Sequence, residues 1–194
     1  LSEFERVFNE MAVNADRIYL NGNEHLRAHV ETELRHDRMN KWIKEHYHAH
    51  EFERSQPLLH RVRGTKSELE LEVMRKAVAI TKLAHEEAMA MTAPGVFEYQ
   101  LEAKISYVFR SSGGTGPGYT SIVGGGNNAV ILHYIANDQP LRDGDVVCVD
   151  AGCELGSYTG DVTRAWPVNG KFTEGQREIY EAVLAANEAA IAVC

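Results

Sequence analysis

The chain is short of basic residues, of cysteine and of long apolar runs, and each shortage removes a class of protein. Lys and Arg number 20 against 28 Asp and Glu, for a formal net charge of −8. With no Lys/Arg cluster to override it, that balance argues against a nucleic-acid surface. No window approaches 18 apolar residues, so no membrane-spanning helix is expected. The three cysteines, Cys148, Cys153 and Cys194, cannot all pair with one another, and none has CxxC spacing. Cys148 and Cys153, both in the strand region, read as small buried hydrophobes in a reducing, cytoplasmic compartment. The N-terminus, LSEFERVFNEM, is acidic, lacks a charged-then-apolar signal layout and lacks an initiator Met. A fragment or a processed chain is the expectation. The glycine run VGGGNN lacks a GK[ST] ending and no helix is expected after it, so it reads as a turn and not as a phosphate or dinucleotide loop.

What is present is ordinary for a globular protein: 194 residues, 44% hydrophobic and 25% charged, enough for one domain or one and part of a second. Residues 1–56 are polar and His-rich, with a short strand expected at Ala15–Leu20 and a helix over Glu24–Glu53, where Leu26, Val30 and Leu34 recur every four residues. Pro57–Gly64 reads as a connector, and the domain boundary falls near residue 57. A helix follows to Met91, capped by Thr65 or Ser67 with Glu68 or Glu70, and Leu71, Met74, Val78, Leu83 and Met89 mark its apolar side. A second helix is expected from Glu98 through Val108. Short β-branched runs at Tyr119–Val123, Val130–Tyr134 and Val146–Asp150 then read as strands, and Thr173 caps a last helix over Glu174–Ala190. Helices first and an antiparallel sheet after them indicate an α+β layer domain.

The segment Val146–Pro167, VVCVDAGCELGSYTGDVTRAWP, concentrates the chemistry. Its two acids, Asp150 and Asp161, are symmetric about Leu155-Gly156. A hairpin centred there sets them directly opposite on one face, with Cβ atoms roughly 4.5–5.5 Å apart. Facing carboxylates repel, and a hard divalent cation with oxygen ligands, of the magnesium-to-manganese class, answers that repulsion. The plainer reading is one acid ending a strand and the other lying at the surface. His133, in ILHYIAN, is either a strand-end histidine or, if its strand lies beside the acids, a donor to a substrate carbonyl or oxyanion. On a helix His46 and His50 share a face, as do His25 and His29, and such pairs can hold zinc. No cysteine accompanies them and charges surround them, which favours a solvated face.

These motifs carry a resemblance. VDAGCELGSYTGDVTRAWPVNGKFTEGQREIY resembles the bacterial Xaa-Pro aminopeptidases (aminopeptidase P), within the pita-bread metallopeptidases that include prolidase and methionine aminopeptidase. RVRGTKSELELEVMRKA, PGVFEYQLEAKI, YTSIVGGGNNAVILHY and LRDGDVVCVDAG extend it, in order, over residues 57–190. The resemblance implies the first half of a pita-bread catalytic domain over residues 57–194, preceded in 1–56 by the end of an N-terminal α/β domain. It implies removal of the N-terminal residue from peptides with proline second, by two divalent ions, usually manganese. Prolidase, or a non-catalytic peptide-binding module, is the alternative. By resemblance Asp150 chelates one metal, Asp161 bridges both, and His133 contacts substrate. The family's further His and two Glu ligands lie beyond Cys194, so this stretch alone is expected to be inactive. Its uncovered sheet faces call for a partner half, a continuation or a homo-oligomer.

Overall fold

The first strand forms where expected and finds its partner in a stretch expected to be helical. Among the residues described by this computed structural model, 2–22 and 33–194, the chain divides into two compact units, Leu1–Lys66 and Ser67–Cys194. In the first, helices α1 (Ser2–Ala12) and α2 (Arg35–His46) bring Phe8 and Trp42 together around buried Ala12, Ile18 and Ile43. Strand β1 (Arg17–Leu20) pairs in parallel with β2 (Glu51–Arg54), Ile18 opposite Phe52, and the Arg17 guanidinium reaches Glu51 at 2.6 Å and Glu53 at 2.9 Å.

The expected helix over 24–53 is therefore corrected. Its residues 24–32, with Leu26, Val30, His25 and His29, lie outside the described residues, and the helix that is described ends at His46. The Pro57–Gly64 connector is also corrected. It belongs to helix α3 (Gln56–Gly64), where Pro57 stands in the first turn and its missing N–H breaks no helical bond.

Helix α4 (Glu68–Met91) opens the second unit with a capping box. The Ser67 hydroxyl accepts from Glu70 N–H, and the Glu70 carboxylate accepts from Ser67 N–H at 2.6 Å. The buried stripe of α4 is Ala77, Thr81, Ala84, His85 and Ala88, while Val78, Leu83 and Met89 from the expected apolar side are exposed. Small residues face inward because the helix lies almost on the sheet, and the Thr81 hydroxyl takes the Cys153 N–H at 2.9 Å. Helix α5 (Glu98–Ser111) adds Leu101, Ile105, Val108 and Phe109 to the same core.

The sheet is antiparallel. Central β5 (Val146–Leu155) is flanked by β6 (Tyr158–Pro167) on one edge, and by β3 (Gly116–Pro117) and β4 (Ile122–Gly125) on the other. Val147, Val149, Ala151 and Cys153 are buried against the helices. On the opposite face Cys148, Asp150 and Glu154 stay partly accessible. Helix α6 (Glu174–Ile191) starts at Thr173 with a second capping box. Among the described residues no helix is long and apolar enough to cross a membrane.

The strand expected at Val130–Tyr134 does not form. A 3-10 turn occupies Gly126–Val130, and the chain then turns through His133 and Asn137, both at positive φ (55° and 47°).

Candidate metal centre

The hairpin that carries the two acids turns one residue later than symmetry suggested. Gly156 and Ser157 occupy the turn at φ 56° and 68°, so Leu155 faces Tyr158. Asp150 consequently lies opposite Thr163, and Asp161 lies opposite Gly152. The register differs from the expected one by two residues, and because strand side chains alternate with period two the acids keep a common face. They become diagonal neighbours at a spacing of roughly 7 Å.

Tyr119, in the loop before β4, closes that gap. Its hydroxyl is hydrogen-bonded to Asp150 and lies 2.8 Å from Asp161 Oδ1. One phenolic proton satisfies one carboxylate at a time, so the second retains an uncompensated lone pair aimed at the same point. Burial first, and then the hydrogen bonds to Asp150 and Asp161, hold the Tyr119 phenol well above its ordinary range. It stays a donor. Gly152 makes room for this arrangement, because a Cβ there would stand 2.9 Å from the Tyr119 ring and 3.2 Å from Asp161 Cα.

Two hard-oxygen donors converging on one point, with only a neutral hydroxyl between them, fit a divalent cation as part of its shell. Among the described residues no group of three or more His, Cys, Asp and Glu side chains comes together, so the pair supplies two ligands and not a full set. His133 is exposed in the turn that follows the 3-10 segment and does not join the acids in such a group. His46 stacks on Trp42 at the end of α2, and His50 sits in the turn after it, so the helical zinc spacing is not formed. The Cys148 thiol, on the acids' face, is pushed up by burial and then by Asp150, which makes it a poor nucleophile.

Two structural residues escaped the sequence reading. The Glu98 side chain is buried, with its carboxylate taking Gly125 N–H at 2.8 Å and Gln139 N–H at 3.0 Å. It also accepts from the Tyr134 hydroxyl at 2.7 Å and the Asn128 amide at 3.1 Å. Asn137, also buried, accepts from Val123 N–H at 3.0 Å and donates to Ser121 O and Glu102, each at 2.9 Å. These side chains tie together the backbone on either side of ILHYIAN, at Ser121, Val123, Gly125 and Gln139. Neither has a local signature, since Glu98 reads as a helix start and Asn137 as a turn residue.

Burial, and then the bond to Glu98, push the Tyr134 phenol from 10.0 up to about 12. A raised pKa means the protonated phenol contributes stability in full below 10.0, and that contribution fades as pH climbs toward about 12. Tyr134→Phe is expected to leave the tyrosinate absorbance step near the ordinary phenol range unchanged and to remove absorbance only above it. Loss of one residue's signal from the ordinary step would contradict the network.

An α+β layer whose open sheet face bears two convergent carboxylates defines a fold prepared on one side for a hard metal ion. The model for metallopeptidase family M24 matches residues 72–194, and the chain belongs to that family. It is 52% identical over 135 residues to the Xaa-Pro aminopeptidase of Haemophilus influenzae, and 50% identical over 135 residues to that of Escherichia coli. Each alignment covers 70% of this chain and 31% of the relative, so the chain spans about a third of the length of these curated relatives. The solved aminopeptidase PepP of Pseudomonas aeruginosa superposes with a TM-score of 0.82 at 39% identity, over 97% of this chain and 43% of that one. The expected α+β architecture, part of a pita-bread catalytic fold, is thereby borne out.

Proposed function

We propose that the whole protein is a metal-dependent aminopeptidase that removes the N-terminal residue from peptides with proline in second position. The observation that carries the reading is the convergence of Asp150 and Asp161 on one hydroxyl, in a chain that is 50–52% identical over 135 aligned residues to Xaa-Pro aminopeptidases. Asp150 and Asp161 would hold the divalent ions, Asp150 as a ligand to one and Asp161 as a ligand shared between two, with manganese the preferred metal. When bound, such ions acidify a water and polarise the scissile carbonyl.

The chain's own residues do the positioning. Tyr119 donates to the Asp150 carboxylate and holds it beside Asp161. Gly152 leaves the hairpin flat enough for both acids to reach one point. His133, exposed on its turn, donates to the substrate carbonyl and to the oxyanion that develops from it. We assign residues 1–56 to the end of an N-terminal α/β domain and 57–194 to the start of the catalytic domain. We further place the protein in the cytoplasm, as a homo-oligomer acting on peptides.

The test compares a Xaa-Pro dipeptide with a Xaa-Pro-Xaa tripeptide, using the whole protein stripped by chelation and reloaded with manganese. The tripeptide is expected to be cleaved at least about tenfold faster in kcat/KM, and only after reloading. Faster dipeptide cleavage identifies a prolidase instead. Cleavage of neither identifies a binding module. His133→Ala is expected to lower kcat by roughly 10²-fold with metal content unchanged.

A further inference from the structure

The segment that presents His133 is held by a group that takes no part in the chemistry proposed above. Between β4 and β5 the chain runs without a strand from Gly126 to Asp145, and two non-glycine residues in it, His133 and Asn137, adopt the left-handed conformation. That conformation is unfavourable for residues with a Cβ and persists only where the surroundings fix it. Val130, Leu132 and His133 are exposed, so apolar packing of those side chains does not fix it. What remains is the polar network beneath. The Glu98 carboxylate accepts from Gly125 N–H and the Asn128 amide on Oε1, and from the Tyr134 hydroxyl and Gln139 N–H on Oε2. Its own N–H returns a bond to Gln139 O at 3.0 Å. The four donors come from before, within and after the 3-10 turn and from both sides of His133 in sequence.

We propose that Glu98 is a positioning residue for His133: one buried carboxylate gathers both ends of the 125–139 segment and so sets where the imidazole stands. The proposal rests on the reading of His133 as the group that meets substrate. It concerns an acid whose carboxylate takes four donors from this one segment, and whose demand is for an acceptor on both oxygens.

Glu98→Gln tests that demand. The amide keeps the size but has an acceptor on one side only. With its oxygen toward Gly125, its NH₂ faces Tyr134 and Gln139. Tyr134 can turn its hydroxyl and accept, and the Gln139 N–H cannot. Hydrogen exchange on the chain is therefore expected to show the Gln139 amide losing protection, with Gly125 and the core amide of Val149 retaining theirs. In the whole protein, kcat is expected to fall by roughly 10–100-fold, the scale of an ångström-sized misplacement, with KM and bound metal little changed.

Tyr134→Phe removes a single donor and provides the milder variant should Glu98→Gln fail to fold. It is expected to lower kcat in the same direction by a smaller factor. Exchange that rises uniformly through the core, or loss of metal, would assign Glu98 a global role and overturn the proposal. An unchanged kcat beside a loosened Gln139 would overturn it too. If His133→Ala leaves kcat intact, the reading of His133 falls, and Gln139 exchange still decides whether Glu98 holds the loop.

Discussion

Asp161→Asn is expected to act in opposite directions on the metal-free chain and on the metal-loaded whole protein. In the chain without metal, Asp161 and Asp150 share one face and one hydroxyl. Removing one charge relieves a like-charge pair worth about half a kcal/mol at this exposure, so the denaturation midpoint should rise slightly or hold. The Tyr119 hydroxyl then donates to Asp150 alone. On the proposed reading, the same substitution in the whole protein would replace a bridging carboxylate by an amide that cannot span two ions. Loss of a partner one shell further out already costs 10–100-fold in metal affinity or activity, so a direct ligand should cost more, on the order of 10³-fold in kcat. Calorimetric or chelator-competition titration with manganese measures the first loss, and tripeptide hydrolysis the second. Retained manganese affinity would remove Asp161 from the site. A clear drop in stability of the metal-free chain would mean that the acid serves the fold.

The face that carries the two acids was legible in the sequence because it depends only on period-two alternation, which survives an error of two residues in register. The turn itself was misplaced. Centring it on Leu155-Gly156 asks Leu155 to adopt positive φ, whereas Gly156-Ser157 puts glycine and a small polar residue there, as a tight hairpin demands. Attention to turn chemistry over symmetry would have found the register, and with it Gly152 opposite Asp161. The helix starts at Ser67 and Thr173 were legible for a local reason: a capping box is complete within four residues.

What was not legible is what depends on distant partners. ILHYIAN is β-branched and apolar, and local propensity favours a strand. It forms none: Glu98 and Asn137 bond the backbone on either side of it, at Ser121, Val123, Gly125 and Gln139, and Ile131, Leu132 and Ile135 lie on the surface. Tyr119 reaches across 31 positions to Asp150 and 42 to Asp161, and the sequence marks it only as the first residue of a strand over Tyr119–Val123, which in fact begins at Ile122 and leaves Tyr119 in a loop. The same limit explains α4. Large apolar side chains suggested its inner side, but the decisive fact is the proximity of β6, which only small residues tolerate.

That proximity underlies the largest expected effect on stability. A Cβ on Gly160 would lie 2.6 Å from the Ala77 carbonyl carbon and the Val78 nitrogen, and 2.7 Å from the Ala77 oxygen. These are backbone atoms in the middle of a 24-residue helix, so no side chain can swing aside to relieve them. In Gly160→Ala, α4 must lift from the sheet or β6 must bend away. Either movement strains the Thr81–Cys153 bond and the link from Tyr158 to Glu70. Overpacking of this kind costs typically 1–3 kcal/mol, and rigid backbone on both sides puts Gly160→Ala at about 3 kcal/mol. Against the marginal stability of such a unit that lowers Tm by about 10 °C. Gly175→Ala is the control: nothing lies within 4 Å of its added methyl, and it sits inside α6, where alanine is favoured by up to about 1 kcal/mol. One chemical change should thus destabilise at 160 and stabilise at 175 in the same denaturant series. An equal effect at both would show that α4 does not rest on Gly160. The consequence reaches the acids, because Asp161 is the next residue of β6, and its height over the sheet is set by how closely α4 presses on Gly160.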